Sequence, residues 1–344
     1  MAMPTTLRAP ADELTRRGLL TGAGALGALT VLPGSAWGQE AGEPAFPVTI
    51  DHKFGSTVIS AEPQRVLSLG FADQDAILAL GVTPIAARYW FGDAPDAVFP
   101  WARDELGDAH PEVLEMPELN FEQIAGLRPD LIISVYSGIT EQDYRTLTQI
   151  APTVAQAGEY IDFGMPWNEM TLHVGRVLGR QAQSEKLVAD VEVRFSATRR
   201  DHPEFVGASL VLASPPDGGQ YSFFNAENRR VQVFTSIGFE VPADLVEIAG
   251  EEFFGTVSAE RLDLFDTDVL VWHQLDGGGR AVIEADPFVQ RLDATREGRV
   301  VFLEGVLPQA LAFSSVLSLP FLLDGLVPML AAAIDGDPTT EVTS

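Results

Sequence analysis

Two stretches of the chain carry the same pattern. Glu122, Ile124, Leu127, Asp130, Leu131 and Ile132 recur in type and spacing as Glu260, Leu262, Phe265, Asp268, Val269 and Leu270, 138 residues further on. Each copy reads as a short amphipathic helix, a turn at the aspartate and an apolar strand. A shorter echo pairs residues 80–84, Leu-Gly-Val-Thr-Pro, with residues 237–242, Ile-Gly-Phe-Glu-Val-Pro. One such unit cannot bury its own strand. A unit used once in each half therefore demands two similar α/β lobes. A length of 344 residues suits two domains, at roughly 150 residues each.

The rest of the chain fits that division. Residues 66–69 read as a buried strand, 73–80 as a helix ended by Gly81, and 83–87 as the next strand. From Asn120 to Val135 a helix and a turn at Arg128-Pro129-Asp130 lead into a strand apolar on both faces. Such strands belong to parallel sheets covered by helices. After Pro166, apolar residues at 170, 174, 177, 178, 187, 188, 191 and 195 keep helical spacing with no proline until Pro203, which predicts one long helix. The strand–helix pattern resumes at 209–213, 231–237, 269–272 and 300–303. The apolar stretch 314–334, broken by Pro320 and Pro328, reads as packed terminal helices. The expected fold is α/β: two parallel-sheet lobes, 39–165 and 203–344, joined by one long helix over 166–202.

The first 38 residues read as an address. Arg16-Arg17 before a short glycine-rich apolar stretch, with a small-residue exit near Ala36-Trp37-Gly38, has the form of a twin-arginine export signal peptide. The glycine spacing 22-24-27 matches a dinucleotide fingerprint, but no strand precedes it, so the match is chance. With no cysteine there is no disulfide, no thiolate metal site and no lipid anchor. The expectation is a soluble periplasmic monomer.

A net charge of −27 with only two lysines, Lys53 and Lys186, excludes a nucleic-acid partner and a polybasic membrane patch. The five histidines, His52, His110, His173, His202 and His273, lack paired ligand spacing, and neither a Walker loop nor a nucleophile elbow occurs. No catalytic residue, intrinsic cofactor or metal site is therefore expected. Aromatic residues instead collect where strands end. Tyr89 and Trp90 follow Arg88, and Tyr136 follows the strand of the first repeat. Tyr221 stands ahead of Arg229-Arg230, Phe254 ahead of the second repeat, and Trp272 at the end of its strand. Ligands of open α/β sheets sit outside the carboxyl ends of strands, so these positions describe an aromatic cleft with a few arginines.

The run from Arg65 to Pro84, Arg-Val-Leu-Ser-Leu-Gly-Phe-Ala-Asp-Gln-Asp-Ala-Ile-Leu-Ala-Leu-Gly-Val-Thr-Pro, resembles the periplasmic iron–siderophore binding proteins of ABC importers. So do residues 120–132, 149–153 and 296–302. The resemblance covers residues 47–335. It implies two lobes on one rigid helix with little closure, a ferric siderophore that brings its own iron ligands, and a membrane permease as partner. In that family an arginine at the position of Arg88 reaches the iron-coordinating oxygens of hydroxamates. A tyrosine matching Tyr136 bonds the ligand from the opposite wall, and a tryptophan stands where this chain has Phe254. The family's aromatic pair before the final helices is replaced by Pro308-Gln-Ala-Leu311. Tyr89, Trp90, Tyr221, Arg230 and Trp272 join the ligand-binding set from strand-end position alone.

Glu122 and Glu260 open the two repeat helices behind Asn120 and Ser258, which read as N-caps. A carboxylate there offsets the helix dipole, and the resemblance adds that equivalent glutamates dock such proteins on permease arginines. A haem or cobalamin ligand is the alternative within the fold, and an exported two-lobed enzyme the alternative outside it. Arg88, Arg229, Arg230 and Arg280 could serve an anionic chelate, yet the overall charge favours a neutral or cationic hydroxamate.

Overall fold

A computed structural model describes residues 46–115, 118–273, 275, 278–335, 337, 339–340 and 342. The signal-peptide reading and the glycine fingerprint lie outside the described residues.

A hairpin of β1 (Val48–His52) and β2 (Gly55–Ile59) precedes the first lobe. The lobe then alternates β3 (Val66–Ser68), α1 (Asp73–Ala79), β4 (Ala86–Arg88), α2 (Arg103–Leu106), β5 (Glu112–Leu114), α3 (Phe121–Leu127), β6 (Leu131–Ser134), α4 (Glu141–Leu147) and β7 (Thr153–Ala155). Its sheet has the order β5-β4-β3-β6-β7 and is parallel throughout. Both faces are buried: Leu67 and Ile132 point into one cluster, Val66, Leu131 and Ile133 into another. The apolar-on-both-faces reading of these strands holds.

Two helices follow, α5 (Trp167–Val177) and α6 (Gln181–Asp201). The single long helix expected over 166–202 is interrupted. The chain turns at Gly179, whose φ of +67° suits glycine, and Arg180 N–H bonds back to the Gly175 carbonyl at 2.7 Å. Helical spacing of apolar residues continues across the break because each helix buries its own stripe. α5 lies on α1 and β1, α6 on α12 (Ser318–Ile334) and α7 (Arg229–Ser236).

The second lobe runs β8 (Leu210–Ala213), β9 (Gln220–Phe224), α7, α8 (Ala243–Ala249), β10 (Phe254–Ser258), β11 (Val269–Trp272), α9 (Gly279–Ala285), α10 (Asp293–Arg296), β12 (Val300–Phe302), α11 (Leu307–Phe313) and α12. The sheet order is β10-β9-β8-β11-β12. β8, β11 and β12 are parallel, but β9 is antiparallel to both neighbours. Ser214-Pro-Pro-Asp-Gly-Gly219 is too short for a crossover and makes a hairpin. The second repeat helix also differs from the first. Residues Ala259–Phe265 form 3-10 turns kinked at Arg261. Asn120 caps α3 by accepting from Gln123 N–H at 3.0 Å, whereas Ser258 makes no side-chain cap bond.

The C-terminal segment ties the lobes together. Phe313, at the end of α11, packs its ring 5.1 Å from Phe99 and 5.3 Å from Trp101 in the first lobe. Ser315 donates to the buried carboxylate of Asp75 on α1. The lobes therefore share one continuous core in addition to the α5–α6 connection. Among the described residues, no helix is long and apolar enough to cross a membrane.

Candidate functional site

A cavity of about 330 Å³ lies where the two lobes meet. The first lobe supplies Phe71, Trp90, Tyr136 and Phe163. Three of these follow the carboxyl ends of β3, β4 and β6 by two or three residues, because a parallel sheet opens its loops on that edge. Phe71 N–H donates to the Tyr136 carbonyl at 2.9 Å, which locks the two loops together. Phe71 stacks on Trp90 with centroids 5.4 Å apart, and Tyr136 stands edge-on to Phe163 at 5.1 Å. The second lobe supplies Phe224 from the end of β9, Asn228 to Arg230 from the start of α7, and Phe253 with Phe254 at the head of β10. Phe254 is 60 % exposed.

Cations sit on these rings. Arg229 lies 4.3 Å over Tyr136 and Arg230 lies 5.4 Å over Phe224. Arg229 is buried, and one of its terminal nitrogens donates to the carbonyls of Phe313 and, at 2.8 Å, Ser314. Its Nε and Nη1 are buried without a hydrogen-bond partner. Arg230 is half-buried; burial, with Arg229 beside it, lowers its pKa. His273, beside Phe224 at 4.7 Å, is pushed down to about 3 by burial and then by Arg230, so it stays neutral at physiological pH.

Of the residues expected to bind ligand, Trp90, Tyr136, Arg230 and Phe254 share this wall. Arg88 does not line the cavity: buried, it stacks 4.4 Å over Phe71. Tyr89 turns aside and donates its hydroxyl to the Gly92 carbonyl at 2.7 Å. Tyr221 and Trp272 are core residues on the opposite face of their sheet. Side chains alternate along a strand, so Tyr221 and Phe224, three residues apart, face opposite ways. Tyr221 donates to Asp286 at 2.5 Å, and burial raises its pKa. Arg280 is exposed and paired with Glu284 at 2.8 Å and Glu304 at 2.7 Å, outside the cavity. Reasoning from sequence missed Phe71, Phe163 and Asn228 as wall residues, and its ligand-binding set left out Phe224 and Phe253. Phe71 lay in plain view after the first strand, while Phe163 sits in a loop with no periodic signal.

A larger hollow of 540 Å³ lies against β1, α5 and the turn at Gly179. It lies between the first lobe and the α5–α6 connection, and no Phe, Tyr or Trp lines it. The interlobe cavity has the chemistry. Among the described residues, no three of His, Asp or Glu are grouped to hold a metal ion.

Behind the cavity two carboxylates are fully buried on α1. Asp75 accepts from Trp101 Nε1 at 2.7 Å and from Ser315, leaving Oδ1 without a partner. Desolvation pushes its pKa up to about 7; Glu105 adds to the rise, while Ser315, Trp101 and Arg229 oppose it. The folded protein thus holds a proton that the unfolded chain, with a pKa near 3.8, releases. Stability is lost as pH rises from about 4 to about 7. The Asp75→Asn variant lacks this loss. Its stability relative to wild type is expected to climb across that window and level off above it, by on the order of a few kcal/mol. Urea unfolding of both proteins at pH 4.5 and 8 checks the difference.

The periplasmic binding protein family profile matches residues 69–307, well over half of the chain. The chain is 26% identical over 297 residues to the ferric-anguibactin-binding protein FatB of Vibrio anguillarum, covering 82% of this chain and 87% of that one. A crystal structure of a periplasmic solute binding protein from Mycobacterium smegmatis superposes with a TM-score of 0.74 at 36% identity, covering 83% of this chain and 98% of the other. PiaA of Streptococcus pneumoniae, in complex with ferrichrome, superposes at 0.71 with 25% identity over 84% and 99% of the two chains. Two α/β lobes around an aromatic interlobe cavity, and a profile that spans both, place the chain in the periplasmic binding protein family.

Proposed function

We propose that this protein is the extracytoplasmic substrate-binding component of an ABC importer and delivers a ferric siderophore for iron uptake. The observation that carries the reading is the interlobe cavity, walled by aromatic rings with two arginines on them. Rings from both lobes give a broad apolar surface to an organic chelate, and the arginines offer donors to its oxygens. The siderophore supplies all the iron ligands, so the protein binds without chemistry of its own. Its route is the twin-arginine pathway, and it acts as an unanchored monomer outside the cytoplasmic membrane. The lobes 39–165 and 203–344 close little, because the C-terminal segment bridges them as well as the α5–α6 connection.

Titration with a panel of ferric siderophores tests the reading. Tryptophan emission is expected to fall saturably at micromolar ligand. Trp90, in the wall, is the main reporter, and Trp272, which is 0% exposed in the core, a minor one. Trp90→Phe should remove most of the quenching amplitude, with binding still measurable by calorimetry. A panel without any saturable response sinks the assignment.

The same reading gives Glu122 and Glu260 a role. Both are exposed, one at the start of each repeat unit. They serve as the pair of carboxylates, one per lobe, that dock on cationic pockets of the permease.

A further inference from the structure

Resting on the siderophore reading, we infer that the cavity selects ferric chelates of net negative charge, with catecholate or hydroxycarboxylate oxygens on the iron, over neutral trihydroxamate chelates. The wall holds Arg229 and Arg230 and no aspartate or glutamate. A chain of net charge −27 has thus gathered two adjacent cations in the interlobe cavity. Neither charge is matched by an ion pair among the described residues. Among the described residues the Arg230 guanidinium makes no hydrogen bond, and it lies 5.4 Å over the ring of Phe224. Arg229 spends one terminal nitrogen on two carbonyls, while Nε and Nη1 remain buried and unpartnered. Side-by-side burial of like charges is costly unless an opposite charge arrives. Asp73 and Asp75, buried on α1, feel the charge of Arg229 but form no ion pair with it, and each is held by hydrogen bonds of its own. A bound anion completes the arrangement by accepting charge-assisted hydrogen bonds from the two guanidinium groups. The acidic remainder of the surface does not cancel this. Exposed charges are screened over about 8 Å at physiological ionic strength, and buried ones much less.

Isothermal titration with three probes tests the inference: ferric citrate, a ferric tris-catecholate and a neutral ferric trihydroxamate. At least one anionic chelate should bind about tenfold or more tighter than the neutral one, the scale of a single charge-assisted hydrogen bond. Arg230→Gln should weaken the anionic chelates by about tenfold and change the neutral one by less than about twofold. Arg230→Lys, which keeps the charge and the long stem, should recover part of the loss. Equal or tighter binding of the neutral chelate, or an equal effect of Arg230→Gln on both classes, overturns the anion preference while leaving the siderophore function standing. Failure of all three probes and of the wider siderophore panel overturns both.

Discussion

Replacing Glu122 and Glu260 together by arginine is expected to abolish siderophore-dependent uptake while leaving ligand affinity and the fold intact. Both side chains are exposed, and among the described residues neither carboxylate makes a hydrogen bond or ion pair. Their loss costs the fold little. Glu122 sits in the first turn of α3, where an acidic side chain stabilises by roughly 0.3–1 kcal/mol. Glu260 opens a kinked 3-10 segment that has a smaller dipole to offset. At a docking surface the same change replaces attraction by repulsion at two sites at once. Truncating one partner of a buried interfacial charge pair already costs about 2–5 kcal/mol. Uptake of labelled iron in cells carrying only the double variant measures the effect, with calorimetry on the purified variant as the control. Uptake near the wild-type level would show that the glutamates serve helix stability alone.

Asp73→Ala is expected to destabilise the protein by about 2–4 kcal/mol, the scale of two buried N–H groups left without acceptors. The Asp73 carboxylate accepts from the N–H groups of Val135 at 2.7 Å and Tyr136 at 2.9 Å, so α1 holds the exit of β6 in place. Burial raises its pKa to about 6 despite those bonds. The two neighbouring aspartates therefore differ in kind. Both incur desolvation, but Asp73 returns it by fixing the backbone under Tyr136, and ligand affinity should fall with stability in the alanine variant. Gly70 supplies an independent check. A methyl group there would lie 2.2 Å from Asp73 Oδ2. Gly70→Ala should thus be severe in the wild type and mild in the Asp73→Ala background, a coupling that a double-mutant cycle by urea unfolding measures. Additive effects of the two substitutions would contradict the role given to Asp73.

Much of the fold is legible before any coordinates. The strands at 66, 131, 210, 269 and 300 are short apolar runs bounded by turn residues, and each forms where the pattern places it. The repeat with Asp130 and Asp268 has a structural cause. Asp130 accepts from the N–H groups of Gln64 and Arg65 before β3, and Asp268 from Ser209 N–H before β8, at 2.8 Å in every case. An aspartate at the entry of one strand thus anchors the start of its neighbour, once per lobe. The interruption at Gly179 had a local signal as well: a glycine just after the last apolar position, with Arg176 in the final turn of α5. Uninterrupted helical spacing hid it.

What the sequence by itself determined is the order of strands and helices, the doubling of one unit into two lobes, and the presence of aromatic residues near strand ends. Those properties follow from local periodicity and turn chemistry, which act within a few residues. Tertiary structure decided which aromatics face the cavity. Trp90 and Phe224 reach the cavity, while Tyr221 and Trp272 fall on the other face of their sheet and fill the core. A strand buried on both faces carries apolar residues at every position, so its sequence does not mark its two sides. Tertiary structure also decided the electrostatics. Summed charge spoke against an anionic ligand, yet folding brought Arg229 and Arg230 into a wall without a carboxylate and sent Arg280 to Glu284 and Glu304. Net charge is a property of composition, whereas the field in a cavity depends on which few charges lie within a Debye length of it.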